Sequence, residues 1–440
     1  MKKSILTSVS AAALMFSASA FAQSNNSNVV QAGSGQTATV NQTGSNDLSD
    51  VDQSDADITA TVNQSGALGG TSDIDQTGAG NTATVTQTDD GNDTAYIPNS
   101  VPPSSVSIVD QSGDDNTATV NQKTQTALFS NDSTINQVGN ANTASVTQFD
   151  DEQDSVVNQL SNNNTATVNQ SQLGGDDGTY NNSSMINQGI GDFNDAIVDQ
   201  SGRNSDSDVN QQGTNNFASV AQTGTGVRFN SSFVTQTGDD QFAEVMQNGQ
   251  GNESTVTQSN KGNRADVEQD GDDNESTVVQ QGDPFYTSTS NAVFVTQIGN
   301  GNDSFVDAQN GDGGNSVDVD QNGNLNVSDI SQGNNFAANN QITMAQIGNG
   351  NRSGIVQAAG STNDNNRIDA RQEGNNNQSD IDQSGDYQEV DLLQKSTGNI
   401  SLITQTGSFN NADVSQYSAD NTSTVMQGGS NNTATVTQGI

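Results

Sequence analysis

Along most of the chain, apolar and polar residues alternate with a period of two. The segment Asn81, Ala83, Val85, Gln87 places these four side chains on one face and Thr82, Thr84 and Thr86 on the other. Small and β-branched residues opposite Thr, Ser and Asp predict a half-buried strand. Glycine, asparagine, aspartate and serine fill the intervals, as in Gly78-Ala79-Gly80 and Gly113-Asp114-Asp115. These residues suit tight turns.

The pattern repeats. An apolar residue stands two places before each of Gln31, Gln42, Gln53, Gln64, Gln76, Gln87, Gln111, Gln122, Gln137, Gln148, Gln159 and Gln170. It continues to Gln438, giving thirty-four segments, most of them eleven residues apart. Serine stands four places before the odd-numbered glutamines, from Ser27 to Ser423. At Gln309 the partners Ser304 and Val306 are displaced by one residue, which predicts a β-bulge. Before the even-numbered glutamines that place holds alanine or a β-branched residue, Ala38 first and Ala434 last. The repeat is therefore a pair of segments of about 22 residues, seventeen times over.

Strand, turn, strand, turn makes one rung. A lone rung cannot bury its apolar face, so the rungs are expected to stack at about 4.8 Å into an all-β solenoid of about seventeen strand-turn-strand rungs with two parallel sheets. Glutamines in register, with Asn81, Asn116, Asn142 and Asn164 six places before even glutamines, are expected to hydrogen-bond to their copies above and below. All four prolines (Pro98, Pro102, Pro103, Pro284) fall in long gaps, where no ladder needs their missing N–H. Insertion loops are expected near 88–106, 123–131, 171–182, 223–230, 281–291, 333–340 and 358–366, changing edge near residue 280. Repeats begin at Ser27 and run to Gln438 with no capping segment evident, which favours end-to-end growth.

Composition narrows the function. Only 29% of residues are hydrophobic and 4% aromatic, too little for an ordinary globular core of this length. Met1-Lys2-Lys3, an apolar run and Ala20-Phe21-Ala22 predict a signal peptide over 1–22, cleaved between Ala22 and Gln23. Residues 23–440 then form a single repeat domain with no later membrane span. The net charge of −41 makes nucleic acid and anionic membrane poor partners. With no cysteine or histidine and no unique acidic cluster, no catalytic site, cofactor or metal site is expected. Gly33-x-Gly35-x-x-Ala38 precedes a strand instead of opening a helix and is read as a turn. Asp50, Asp52, Asp73 and Asp75 are read as outward, solvated positions whose mutual repulsion salt would screen.

The run Gln76-Thr77-Gly78-Ala79-Gly80-Asn81-Thr82-Ala83-Thr84-Val85-Thr86-Gln87 resembles the curlin repeat of bacterial curli. So do Gln111, Gly113, Asn116, Ala118, Gln122 and Gln137, Gly139, Asn142, Ala144, Gln148. The resemblance implies a secreted structural subunit that polymerises with itself into an extracellular amyloid fibre of the biofilm matrix. It also implies a nucleator and an outer-membrane secretion channel as partners. The chain departs from the family in its many repeats, in the serine of its odd strands, and in the near absence of a targeting segment before the first repeat. The alternative is a monomeric secreted β-solenoid, either an adhesin or an ice-binding protein; paired outward threonines such as Thr37-x-Thr39 and Thr82-x-Thr84 motivate the latter.

Overall fold

The computed structural model describes residues 24–66, 69–89, 105–124, 130–171, 181–224, 228–282, 291–309, 314–333, 339–359 and 365–439. All thirty-four expected segments are strands, β1 (Asn26–Ser34) through β34 (Thr433–Gln438), and there is no helix among the described residues. The signal peptide with its Ala22–Gln23 junction, the prolines and the centres of the seven expected insertion loops lie outside the described residues.

The described residues fall into two compact units, one ending at Asn163 and the other starting at Asn164. In the first, β1, β3 (Leu48–Ala56), β5 (Gly70–Ala79), β7 (Ser105–Ser112), β9 (Asp132–Val138) and β11 (Gln153–Gln159) form one parallel sheet. The second sheet contains β2 (Thr37–Gln42), β4 (Thr59–Ser65), β6 (Thr82–Asp89), β8 (Thr117–Thr124) and β10 (Thr143–Phe149), also parallel. Consecutive strands thus belong to opposite sheets, and each strand pairs with the strand one repeat away. The second unit repeats this plan, from β12 (Thr165–Ser171) and β13 (Asn182–Gln188) to β33 (Thr422–Ser430) and β34. Both units are β-solenoids.

Register follows from burial. Val51, Ile74, Val109, Ile135 and Val157 stack between the sheets of the first unit, each fully buried. Burying such a side chain is worth about 1.5–3 kcal/mol. A slip of one residue would turn this whole column to solvent. Alanine and serine occupy the adjoining inward places, where Ala83 and Ser107 are also fully buried and leave the sheets close together.

The segment at Gln309 departs from expectation. In β23 (Asp303–Gln309), Ser304 pairs with Ser276 and Val306 with Val278, with no extra residue. Ala308, not Gln309, stands opposite Gln280, and Gln309 points outward. No bulge forms because buried Ser304 and Val306 fix the register, and the glutamine lies one residue too late to join its column.

The turns explain the glycines. Gly78 has φ 97°, and a Cβ there would lie 2.0 Å from the Gly113 carbonyl oxygen in the next rung. Two residues after Gly113 the chain turns left-handed again at Asp115, with φ 58°. Of Gly33-x-Gly35, Gly33 lies near the end of β1 and Gly35, with φ 73°, in the turn that leads to β2.

Candidate functional site

The distinctive chemistry lies inside the stack. Each glutamine–glutamine bond runs from the Nε2 of one repeat to the Oε1 of the next. In the odd sheet of the first unit the chain is Gln31 to Gln53, Gln53 to Gln76, Gln76 to Gln111, Gln111 to Gln137 and Gln137 to Gln159, at 2.7–2.9 Å. In the even sheet Gln42, Gln64, Gln87, Gln122 and Gln148 form the parallel series, with bonds of 2.8–2.9 Å. Gln170 opens the even series of the second unit by donating to Gln200 at 2.9 Å. The second hydrogen of most of these Nε2 groups crosses the core to the opposite sheet, as from Gln64 to the Leu48 carbonyl and from Gln87 to the Thr71 carbonyl, both 3.0 Å. One carboxamide therefore ties a rung to the next rung and one sheet to the other. This matters because an unpaired buried amide is costly.

The asparagines have a different task. Asn81 donates to the Gly113 carbonyl at 2.8 Å while its Oδ1 accepts from the Asn116 backbone N–H at 2.8 Å. Asn116 does the same toward Gly139 and Asn142, and Asn142 donates to the Ser161 carbonyl. Asn164 accepts from both the backbone and the side chain of Asn194. The asparagines brace the turns by side-chain-to-backbone bonds, and several also bond side chain to side chain with their copy, as Asn194 does to Asn164 and Asn302 to Asn274. A second asparagine series stands at the same offset before odd glutamines, beyond the even-glutamine series expected from the sequence. It includes Asn252, whose Oδ1 receives the Asn274 N–H at 3.1 Å and whose Nδ2 donates to Gly271.

The odd column of the second unit is interrupted once. Ala308 sits between Gln280 and Gln332 in register. Gln332 is buried, and its Oε1 has no hydrogen-bond partner. Buried serine hydroxyls of the odd sheets, Ser49 and Ser72 among them, also lack partners. Ser379 and Ser423 instead donate to Ser353 and Ser401, at 2.9 and 3.0 Å.

On the outer surface, carboxylates stack. Asp50 pairs in register with Asp73, and Asp52 with Asp75, which in turn pairs with Asp110. Partial burial, reinforced by the neighbouring carboxylates, raises Asp73 and Asp75 above the ordinary aspartate value. In the second unit Arg367 bonds Asp369, Glu389 and Asp391 at 2.8–2.9 Å. Arg264 lies over the Phe242 ring at 4.7 Å and near Phe294 at 5.6 Å, and Phe242 stacks on Phe217. Among the described residues no group of three acidic side chains is placed to hold a metal ion, and no helix is long and apolar enough to cross a membrane.

Fold and ladders together define a repeat-built β-solenoid whose rungs are joined by backbone and glutamine hydrogen bonds. Residues 364–395 and 410–439 match the curlin associated repeat. The same Ser–Val–Gln and Asn–Ala–Val–Gln geometry recurs in strands outside the matched stretches, as at Ser107–Val109–Gln111 and Asn116–Ala118–Val120–Gln122. A comparison with curated proteins finds none that matches the chain significantly.

Proposed function

We propose that this protein is a non-catalytic structural subunit of an extracellular, curli-like amyloid fibre that serves biofilm cohesion and surface adhesion. Chains would add end to end, each extending the ladders of the last. The observation that carries this reading is the pairing of the outermost strands. Among the described residues β1 and β2 pair only with β3 and β4, and β33 and β34 only with β31 (Ile400–Ser408) and β32 (Asn411–Gln416). Unpaired parallel edges template further strands.

Two features suit these edges to one another. The Thr-Ala-Thr-Val-Thr-Gln of β34 nearly repeats the Thr-Ala-Thr-Val-Asn-Gln of β2. Neither β1 and β2 nor β33 and β34 contain a charged residue, although the chain carries a net charge of −41. A joint between copies made there would avoid stacking like charges. Export through a dedicated outer-membrane channel after signal cleavage, and nucleation at the cell surface, belong to the same proposal.

The test is fibre diffraction and seeding on residues 23–440 released from denaturant. A meridional reflection near about 4.8 Å, with growth accelerated by fibre fragments, is expected. A folded, monodisperse monomer that ignores seeds would refute the proposal.

A further inference from the structure

One outward face differs from the others. In the even sheet of the first unit, β2, β4, β6, β8 and β10 present three columns of outward side chains in parallel register. The first column is threonine in all five strands, from Thr37 to Thr143; the second runs from Thr39 through Thr84 to Ser145. The third mixes asparagine and threonine, from Asn41 to Thr147. None of these fifteen side chains is charged. The corresponding columns of the odd sheet in the same unit hold seven aspartates, between Asp50 and Asp154. The even sheet of the second unit carries ions in these columns, including Glu244, Asp266 and Asp391.

The result is a two-dimensional lattice of hydroxyl and methyl groups. Its repeats are about 4.8 Å between strands and about 6.6 Å between alternate residues. The threonines of the first two columns are half-buried to exposed, and no bond within the chain engages their hydroxyls. A hydroxyl both donates and accepts, so the lattice can join an ordered hydrogen-bonding network without imposing a charged hydration shell.

We infer that this face binds ice. The partner it fits is neutral, flat and periodic in two directions, with hydrogen-bonding groups of both kinds. A second copy fits less well: five strands by six residues cover about 500 Å², short of the roughly 800 Å² per partner of a stable interface. A polysaccharide would be held by aromatic platforms, whose rings bury large areas against it. The three columns contain no aromatic ring; Phe149 and Lys123 lie beyond their border. The face runs parallel to the stacking direction, so fibre growth leaves it exposed, and the inference stands or falls independently of polymerisation.

The test measures thermal hysteresis and uptake into a growing ice hemisphere, using the chain from Gln23, both freshly diluted and as fibre. The native chain is expected to shape ice and to enter it. Thr61→Lys, Thr84→Lys and Thr119→Lys combined should abolish both, with the β-sheet circular dichroism unchanged. Thr343→Lys, in the second column of the second unit's even sheet, should leave both intact. If the triple variant misfolds, Thr84→Lys alone is read in its place. Absence of hysteresis and uptake in the native chain, or their survival in the folded variants, overturns the inference. Sedimentation with cellulose that is lost in the same variants, without ice activity, would assign the face to a glycan and overturn it equally.

Discussion

Replacing Ala308 by glutamine should strengthen the second solenoid, although the substitution puts a polar side chain into the core. Ala308 is buried in the glutamine column, and beside it the Oε1 of Gln332 has no donor. A carboxamide at 308 would aim its Nε2 at that oxygen, as Gln258 does toward Gln280 and Gln332 toward Gln357 in the same column. Satisfying one buried orphan carbonyl returns about 1–3 kcal/mol. Fixing the glutamine costs up to about 1.5–2 kcal/mol of side-chain freedom. With the return at the top of its range the net gain is about 1 kcal/mol, which corresponds to a roughly fivefold smaller locally open population.

The mirror experiment is Gln211→Ala. It removes bonds from Gln188 and to Gln236, Asp195 and Asn216, of 2.9–3.2 Å. At about 0.5–1.5 kcal/mol each, the loss is about 2–6 kcal/mol. Global melts are a poor assay for a chain of two units, because the two need not unfold together. Amide hydrogen exchange read by mass spectrometry over β23 and β25 (Val327–Gly333) reports the local opening directly. Unchanged or faster exchange in Ala308→Gln, or native-like exchange around Gln211→Ala, would refute the account of the ladder as a source of stability.

Three further outcomes follow from the geometry. Asp73 and Asp75 hold protons more tightly folded than unfolded, so the stability they influence should fall as pH rises from about 3.8 through their raised values; local opening of β5 across that window, read by amide exchange corrected for its intrinsic pH dependence and flattened in Asp73→Asn, checks the sign. Gly78→Ala should destabilise the first unit by more than about 1 kcal/mol, from its left-handed backbone and the Gly113 carbonyl at 2.0 Å. Gly333→Ala, with nothing within 4 Å of the new Cβ, should be near neutral, and parallel urea titrations compare the two. Arg264→Ala should cost about 0.5–1 kcal/mol through loss of its contacts with Phe242 and Phe294, measured as faster exchange in the flanking strands.

The strands and their register were legible because one rule, an inward residue every second place, operates in all thirty-four segments. Where two inward cues disagree, the buried pair decides. Alignment on Gln309 predicts a bulge, whereas the buried Ser304 and Val306 hold the register and place Ala308 in the ladder. The asparagines before odd glutamines had the same six-residue offset as those before even ones and were readable by the same count. Their hydrogen-bond partners were not readable, since a side chain bracing a turn carbonyl and one bonding its own copy look alike in sequence. The Arg264 contact with Phe294 was hidden too: the interval from Gln269 to Gln297 is longer than the usual repeat, and only the folded register aligns Asp266 with Phe294.

Because every Nε2 in the glutamine columns points toward the later repeat, the side-chain dipoles of each solenoid add along one direction instead of cancelling. The backbone of a β-sheet has little such net dipole. These columns work as an α-helix does, with partial positive charge gathering where N–H groups end and partial negative charge where carbonyls end. Within the second unit, the amide oxygens at Gln170 and Gln188, where its columns open, and the amide nitrogens at Gln427 and Gln438, where they close, therefore mark opposite poles. An object built by joining such poles has a front and a back, and the rates at which its two tips gain and lose subunits have no reason to be equal.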